Sequence, residues 1–189
     1  MALLALTSLT GCGAGEPATD AKPGAATVSS QVPTQRHIAV SRVKEYRSLR
    51  EVVRDSTAVV RVTAQERLGE VPATEDGTGP LTSTLTRVTV DRVFFSRQAV
   101  PTELTMRQTG SPAYVVDGNA EFLVSGKTYV LFVTPFNFKP DRSDSTGQWI
   151  TVGEIAAYRE TDNGLVSVAT GRGQLPIRVD SADIAAAIA

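Results

Sequence analysis

Apolar positions recur at helical spacing near one end of the chain and at alternate positions through most of the rest. In residues 41–56, Val43, Tyr46, Leu49, Val52 and Val53 share one helical face, and Lys44, Arg47, Arg50, Glu51 and Arg54 lie opposite. This spacing predicts an amphipathic helix with Ser41 as N-cap and a solvated charged face. The period then changes to two. Residues 57–65 read as a strand with Ala58, Val60, Val62 and Ala64 on one side. Residues 68–80, rich in Gly, Pro and acid, read as a loop.

Residues 84–95 form a second predicted strand, with Val88, Val90 and Phe94 on one face and Arg87, Thr89 and Asp91 on the other. Arg92 interrupts the apolar face, which points to a bulge or a barrel rim there. Residues 103–109 alternate with Leu104 and Met106 inward, and 110–126 form a loop carrying Pro112 and the turn pair Asp117-Gly118. The most apolar run, 127–136, predicts a central strand buried on both faces and ended by Pro135. After a polar loop at 139–147 come a strand at 148–155 and a hairpin whose Asn163-Gly164 pair suits a type I′ turn. Residues 180–189 carry a cap candidate and acids in the first turn, as a short C-terminal helix requires.

Closely spaced strands between two helices define a mainly β fold, best satisfied by a small antiparallel OB-like barrel with flanking helices. Asp55-Ser-Thr-Ala-Val-Val-Arg-Val, Arg87-Val-Thr-Val-Asp-Arg-Val-Phe and Gly126-Lys-Thr-Tyr-Val-Leu-Phe-Val follow one another over residues 55 to 136. The succession resembles that of netrin-like OB barrels and of uncharacterised secreted proteins of high-GC Gram-positive bacteria. Netrin-like tissue inhibitors of metalloproteinases act through an unmodified N-terminal cysteine and several disulfides. This chain has a single cysteine, so the resemblance implies the barrel and not the inhibitory activity.

The first residues, MALLALTSLTGC, are apolar and close on Leu9-Thr10-Gly11-Cys12. This resembles the lipobox of bacterial lipoproteins, in which small residues give a lipid-transferring enzyme access to the thiol and cleavage precedes the modified cysteine. Residues 1–11 are then a signal peptide, too short to span a bilayer, which takes about 20 apolar residues. Cys12 carries the lipid, with several acyl chains such as palmitate giving stable attachment. No Lys or Arg precedes the apolar run, which points to a true start codon upstream of Met1. Residues 12–40 are dominated by Gly, Ala, Pro, Ser and Thr and read as a disordered tether. Residues 41–189 make one domain. The expected location is the extracytoplasmic face of the cell membrane.

Formal net charge is −1 without a basic run, which argues against nucleic acid as a partner. Candidate chemistry is sparse. The one histidine, His37, stands in the tether and cannot form a zinc site without further His or Cys. No Gly-x-Ser-x-Gly elbow is present, Gly147 and Gly171-Arg172-Gly173 lack the strand-to-helix context of a phosphate loop, and Asp141, Ser143 and Asp144 lack the Gly and Glu of a calcium loop. No metal or cofactor is expected. Two functions remain. One is a noncatalytic module that binds a cell-envelope protein or glycan, using Arg61, Arg87, Thr89, Thr105 and Arg107, which alternation puts on the polar side of the first three strands. The other is a carboxylate-based envelope hydrolase assembled from Asp91, Asp117, Glu121 and Glu154. The sequence leaves the oligomeric state open.

Overall fold

The computed structural model describes residues 36–38, 44–139, 146–169 and 175–189. Cys12, most of the expected tether, Ser41, the acids at 141 and 144 and Gly171-Arg172-Gly173 lie outside the described residues. The elements run β1 (Arg36–Ile38), α1 (Leu49–Asp55), β2 (Ala58–Pro72), β3 (Thr82–Ser96), β4 (Glu103–Thr109), β5 (Tyr114–Val116), β6 (Thr128–Pro135), β7 (Gln148–Thr151), a 3-10 turn (Val152–Glu154), β8 (Ala157–Thr161), β9 (Gly164–Ser167), β10 (Arg178–Val179) and α2 (Ser181–Ile188).

Eight strands form one sheet in the order β10-β9-β8-β6-β2-β3-β4-β7, and β7 also pairs with β6. The strands β6, β2, β3, β4 and β7 therefore close a ring. The sheet is mixed, where the sequence pattern predicts an antiparallel one. The reason is parity: in a ring with an odd number of strands, direction cannot reverse at every contact. The parallel contact falls between β4 and β7, with Thr105 opposite Gln148. Separately, β1 pairs in parallel with β5, Arg36 opposite Tyr114, so residues 36–38, within the bounds of the expected tether, form a strand.

Two apolar clusters follow from the alternation. One is shared by the ring strands and holds Val60, Val62, Val88, Met106, Leu131 and Trp149. The other lies where the helices cover the outer face and holds Tyr46, Val52, Val59, Phe132, Tyr158 and Ile184. Ala58, Val60, Val62 and Ala64 all join the ring cluster, as their spacing predicts. β6 feeds both clusters, with Leu131 and Val133 in one and Val130 and Phe132 in the other, which is the two-sided burial expected of its sequence.

β3 departs from simple alternation near Arg92. Its register against β2 slips between Arg61 and Val62 and again between Val59 and Val60, leaving Asp91 and Phe94 as the extra residues. These bulges move Arg92 opposite Arg61 on the outer face. They also put Phe94 on the helix cluster and Val88 and Val90 with the ring, so the three do not share one face.

α1 is shorter than the predicted 41–56 helix. It begins at Leu49 because Ser48, in extended backbone, accepts the Glu51 N–H at 3.3 Å and caps it. The preceding Tyr46 is 6% exposed and anchors in the helix cluster. β2 continues through the expected loop to Pro72 because β3 supplies partners as far as Thr82. The strand expected over 148–155 stops at Thr151 and gives way to the 3-10 turn. In the β8–β9 hairpin Thr161 pairs with Gly164, so the turn residues are Asp162 and Asn163, and the positive φ falls on Gly164 alone (+100°). The type I′ turn is thus replaced by a turn followed by a left-handed glycine. α2 starts as predicted: Asp180 accepts the Ala182 and Asp183 N–H groups at 2.8 and 2.9 Å, and Asp183 returns a bond to the Asp180 N–H at 2.9 Å.

Candidate functional site

Three of the five residues singled out for binding meet on β3 and β4. Arg87 sits opposite Thr105, and Thr89 opposite Glu103 on one side and Thr63 on the other. On the β6 side β2 is hydrogen-bonded as far as Ala64, which donates to Lys127 O and accepts from the Gly126 N–H, and Gln65 and Glu66 beyond it are exposed. Here Gln65, Glu66, Arg87, Thr89 and Glu103 line a shallow groove of about 440 Å3. Arg87 Nη1 lies 2.7 Å from Glu66 Oε1. Both side chains are well exposed, so this pair is labile and contributes little to stability. The lining residues are all polar or charged and offer both donors and acceptors.

Arg61 stands apart from this groove. Its Nε and Nη2 donate to Glu160 Oε2 at 3.0 and 2.6 Å, and its Nη1 donates to Asp91 Oδ2 at 3.2 Å. Asp91 Oδ2 also accepts from Thr63 Oγ1 at 2.8 Å. Arg61 and Glu160 border a second groove of about 320 Å3 with Phe94, Leu165, Ile184 and Asp180 among its lining. Arg92, brought here by the bulge, also lines it and stacks 4.8 Å from the Phe94 ring.

Arg107 is 4% exposed. Nη1 donates to Gln148 Oε1 at 2.9 Å and Nη2 to Pro72 O at 2.5 Å. The guanidinium lies 4.2 Å from the Phe136 ring and 4.9 Å from the Phe138 ring. Desolvation holds its pKa below the ordinary guanidinium value, with Glu154 opposing the shift. Arg107 therefore joins β4 to β2, β7 and the segment after β6, and takes no part in an exposed patch. The stacking on Phe136 and Phe138 suits this role, since Arg packs on aromatic faces when desolvated, but no local sequence signal links these residues to Arg107.

The four acids considered for hydrolysis occupy different settings. Asp91 belongs to the Arg61 triad. Glu154 accepts from Thr109 Oγ1 at 2.7 Å and from Asn119 Nδ2, and its carbonyl accepts the Ala120 N–H at 2.7 Å. Asp117 and Glu121 are exposed on the loop that Asn119 and Ala120 tie to it. Among the described residues Glu154 is the non-glycine with positive φ, at 57°. No sequence signal marked that backbone. The cavity beside it, lined by Arg107, Thr109, Asn119 and Glu154, measures about 10 Å3, room for about one water. No cluster of three or more His, Cys, Asp or Glu arranged to hold a metal occurs among the described residues.

A further group escaped the sequence pattern. Arg50 and Arg54 of α1 meet Arg97, just past β3, around one groove. The first two are recognisable as a helical pair, whereas the third is more than forty positions away and only the sheet brings it close. Comparison of the chain with protein-family models, with curated proteins and with solved structures returned no match.

Proposed function

We propose that this chain is a lipid-anchored protein of the extracytoplasmic membrane face whose domain, an OB-like barrel in its finer description, binds a cell-envelope protein or glycan without catalysis. Cys12 carries the lipid and residues 13–35 span the gap between membrane and domain. The observation that carries the binding assignment is the open polar groove of about 440 Å3 around Arg87, Thr89 and Glu103. Its size is that of a small-ligand site, and its lining of amide, carboxylate, guanidinium and hydroxyl groups matches a hydroxyl- or amide-rich ligand. No described helix is long and apolar enough to cross a membrane, and the lipid supplies attachment in this reading.

The test is capture of soluble cell-wall glycan fragments and of detergent-solubilised envelope proteins by wild type and by Arg87→Glu with Thr89→Ala. Retention by wild type and loss by the variant supports the site. Equal capture by both removes the groove from the binding surface.

One observation favours the alternative, a carboxylate-based hydrolase: the left-handed backbone of Glu154, since strained residues concentrate at functional sites. Against it, both Glu154 oxygens are engaged and the adjoining space admits no substrate. Turnover of any envelope substrate that disappears in Glu154→Gln would replace the binding reading by this one.

A further inference from the structure

The helix face that the sequence pattern assigns to solvent is one wall of a groove. α1 buries Leu49, Val52 and Val53, which turns Arg50 and Arg54 outward, one helical turn or about 6 Å apart. β3 ends alongside. The Arg97 N–H donates to Thr57 O at 2.9 Å, and Arg97 Nη2 donates to Arg54 O at 2.9 Å. Arg50 Nη2 reaches α2 and donates to Ala186 O at 3.2 Å. The groove measures about 520 Å3, and Val53, Phe95, Ala187 and Ile188 supply its apolar surface. The Arg97 guanidinium lies 5.5 Å from the Phe95 ring.

The nearby acids are already occupied. Asp55 is held by Lys44 and Tyr46 and lies 3.6 Å from Arg54 Nε. Glu51 accepts the Arg47 N–H at 2.8 Å. The guanidiniums of Arg50, Arg54 and Arg97 outnumber the acids of the lining, which are the Glu51 side chain and the carboxylate that Ala189 bears as the last residue. A guanidinium has five N–H donors, and the backbone bonds of Arg50 and Arg97 use one on each. Those bonds fix the groups in place and leave most donors open to a ligand.

We propose that this groove receives an extended acidic peptide segment of a protein partner, with carboxylates on Arg50, Arg54 and Arg97 and apolar side chains against Phe95 and Ile188. Alternate residues of an extended chain are roughly 6.6 Å apart, close to the spacing of the two helical arginines, and Arg forks bind carboxylates in bidentate fashion. A segment that alternates acid and apolar residues presents both chemistries to a groove that has both. An inorganic phosphate or a lipid headgroup would use the guanidiniums and leave the apolar surface uncovered. The site is separate from the Arg87 groove and rests on different residues.

The experiment uses the full chain with Cys12→Ala, kept in solution, and a fluorescent synthetic peptide of alternating Glu and Val. Anisotropy should show saturable binding that weakens with added salt. It should weaken by about tenfold in Arg54→Glu, and similarly when the peptide's Val residues become Ser. If Arg54→Glu melts early, Arg54→Gln removes the charge without repelling Asp55 and must show the same direction of change. Binding of the peptide unaffected by either variant overturns the proposal. So does displacement of the peptide by inorganic phosphate at equal concentration, which would mark a simple anion site. Arg54-dependent sedimentation with vesicles rich in anionic phospholipid, without peptide binding, would assign the groove to the membrane surface and likewise overturn it. The Arg87 variants leave this peptide binding unchanged, so its failure and that of the polar groove are distinguishable.

Discussion

Gly153→Ala is the substitution whose cost the structure defines most closely. Gly153 has φ +63°, and a Cβ there would stand 2.8 Å from Tyr46 Cε2 and 3.2 Å from Cδ2. Two penalties add. Left-handed backbone costs an L-residue roughly 1–2 kcal/mol, and pressing a methyl into a packed ring costs roughly 1–3 kcal/mol. The ring cannot swing away freely, because Tyr46 is buried among the α1 residues and its hydroxyl donates to Asp55 Oδ2 at 3.0 Å. The sum is about 2–5 kcal/mol. Gly126→Ala is the reference: its φ is +74° and no atom lies within 4 Å of the added Cβ, so only the backbone penalty of about 1–2 kcal/mol applies. Urea denaturation followed by circular dichroism reads both, and the thermal midpoint should fall by about 2–4 °C per kcal/mol in a domain of this size. A double-mutant cycle of Gly153→Ala with Tyr46→Ala isolates the clash, since removing the ring should recover that part of the loss. Equal destabilisation by Gly153→Ala and Gly126→Ala, with no coupling to Tyr46, would refute the packing on which the argument stands.

Three further outcomes are expected. Cys12→Ala should abolish metabolic labelling by fatty acid and leave the melting curve unchanged, and persistent labelling would dispose of the lipid anchor. Deletion of residues 13–35 should leave the midpoint within about 2 °C, whereas deletion of 13–40 removes β1 from β5 and should lower it further. Burial pushes the phenols of Tyr46 and Tyr158 up to about 12, the Tyr46 shift being reinforced by Asp55. Raised tyrosine pKa values stabilise the fold below the ordinary value near 10. That stability is lost as pH rises from 10 towards 12, a loss that Tyr158→Phe should reduce in alkaline melts.

Legibility of the sequence follows how local each determinant is. β4 is read at its observed bounds because Leu104 and Met106 alternate cleanly and face one cluster. The C-terminal helix is legible because its capping box needs only residues three apart. α1 is misread at its start because Val43 and Tyr46 continue the helical period while Tyr46 is held by tertiary contact with Gly153 and Asp55. The bulges at Asp91 and Phe94 reverse the parity of β3, and period-two counting cannot register an inserted residue, although Arg92 in an apolar register signalled one. The same counting put Arg107 on the wet face with Arg87. Its burial comes from Phe136, Phe138 and Gln148, all supplied by segments that only ring closure brings near.

The distribution of arginine explains how a chain of net charge −1 can carry a locally cationic corner. On the sheet, Arg61 meets Glu160 and Asp91 and Arg87 meets Glu66 across strands, and Arg67 meets Glu70 three residues on in β2. Exposed pairs of this kind are each worth roughly 0–1 kcal/mol, so their larger consequence is to neutralise the face. At the α1–α2 corner the nearby acids are drawn elsewhere, Asp55 to Lys44 and Tyr46, Glu51 to the backbone ahead of the helix. Arg50 and Arg97 are held instead by carbonyl oxygens, which orient a guanidinium without cancelling its charge. Net charge sums over both arrangements and hides the difference. What sets the corner apart is that Arg50 and Arg97 are held by carbonyl oxygens, whereas Arg61, Arg67 and Arg87 on the sheet are held by carboxylates.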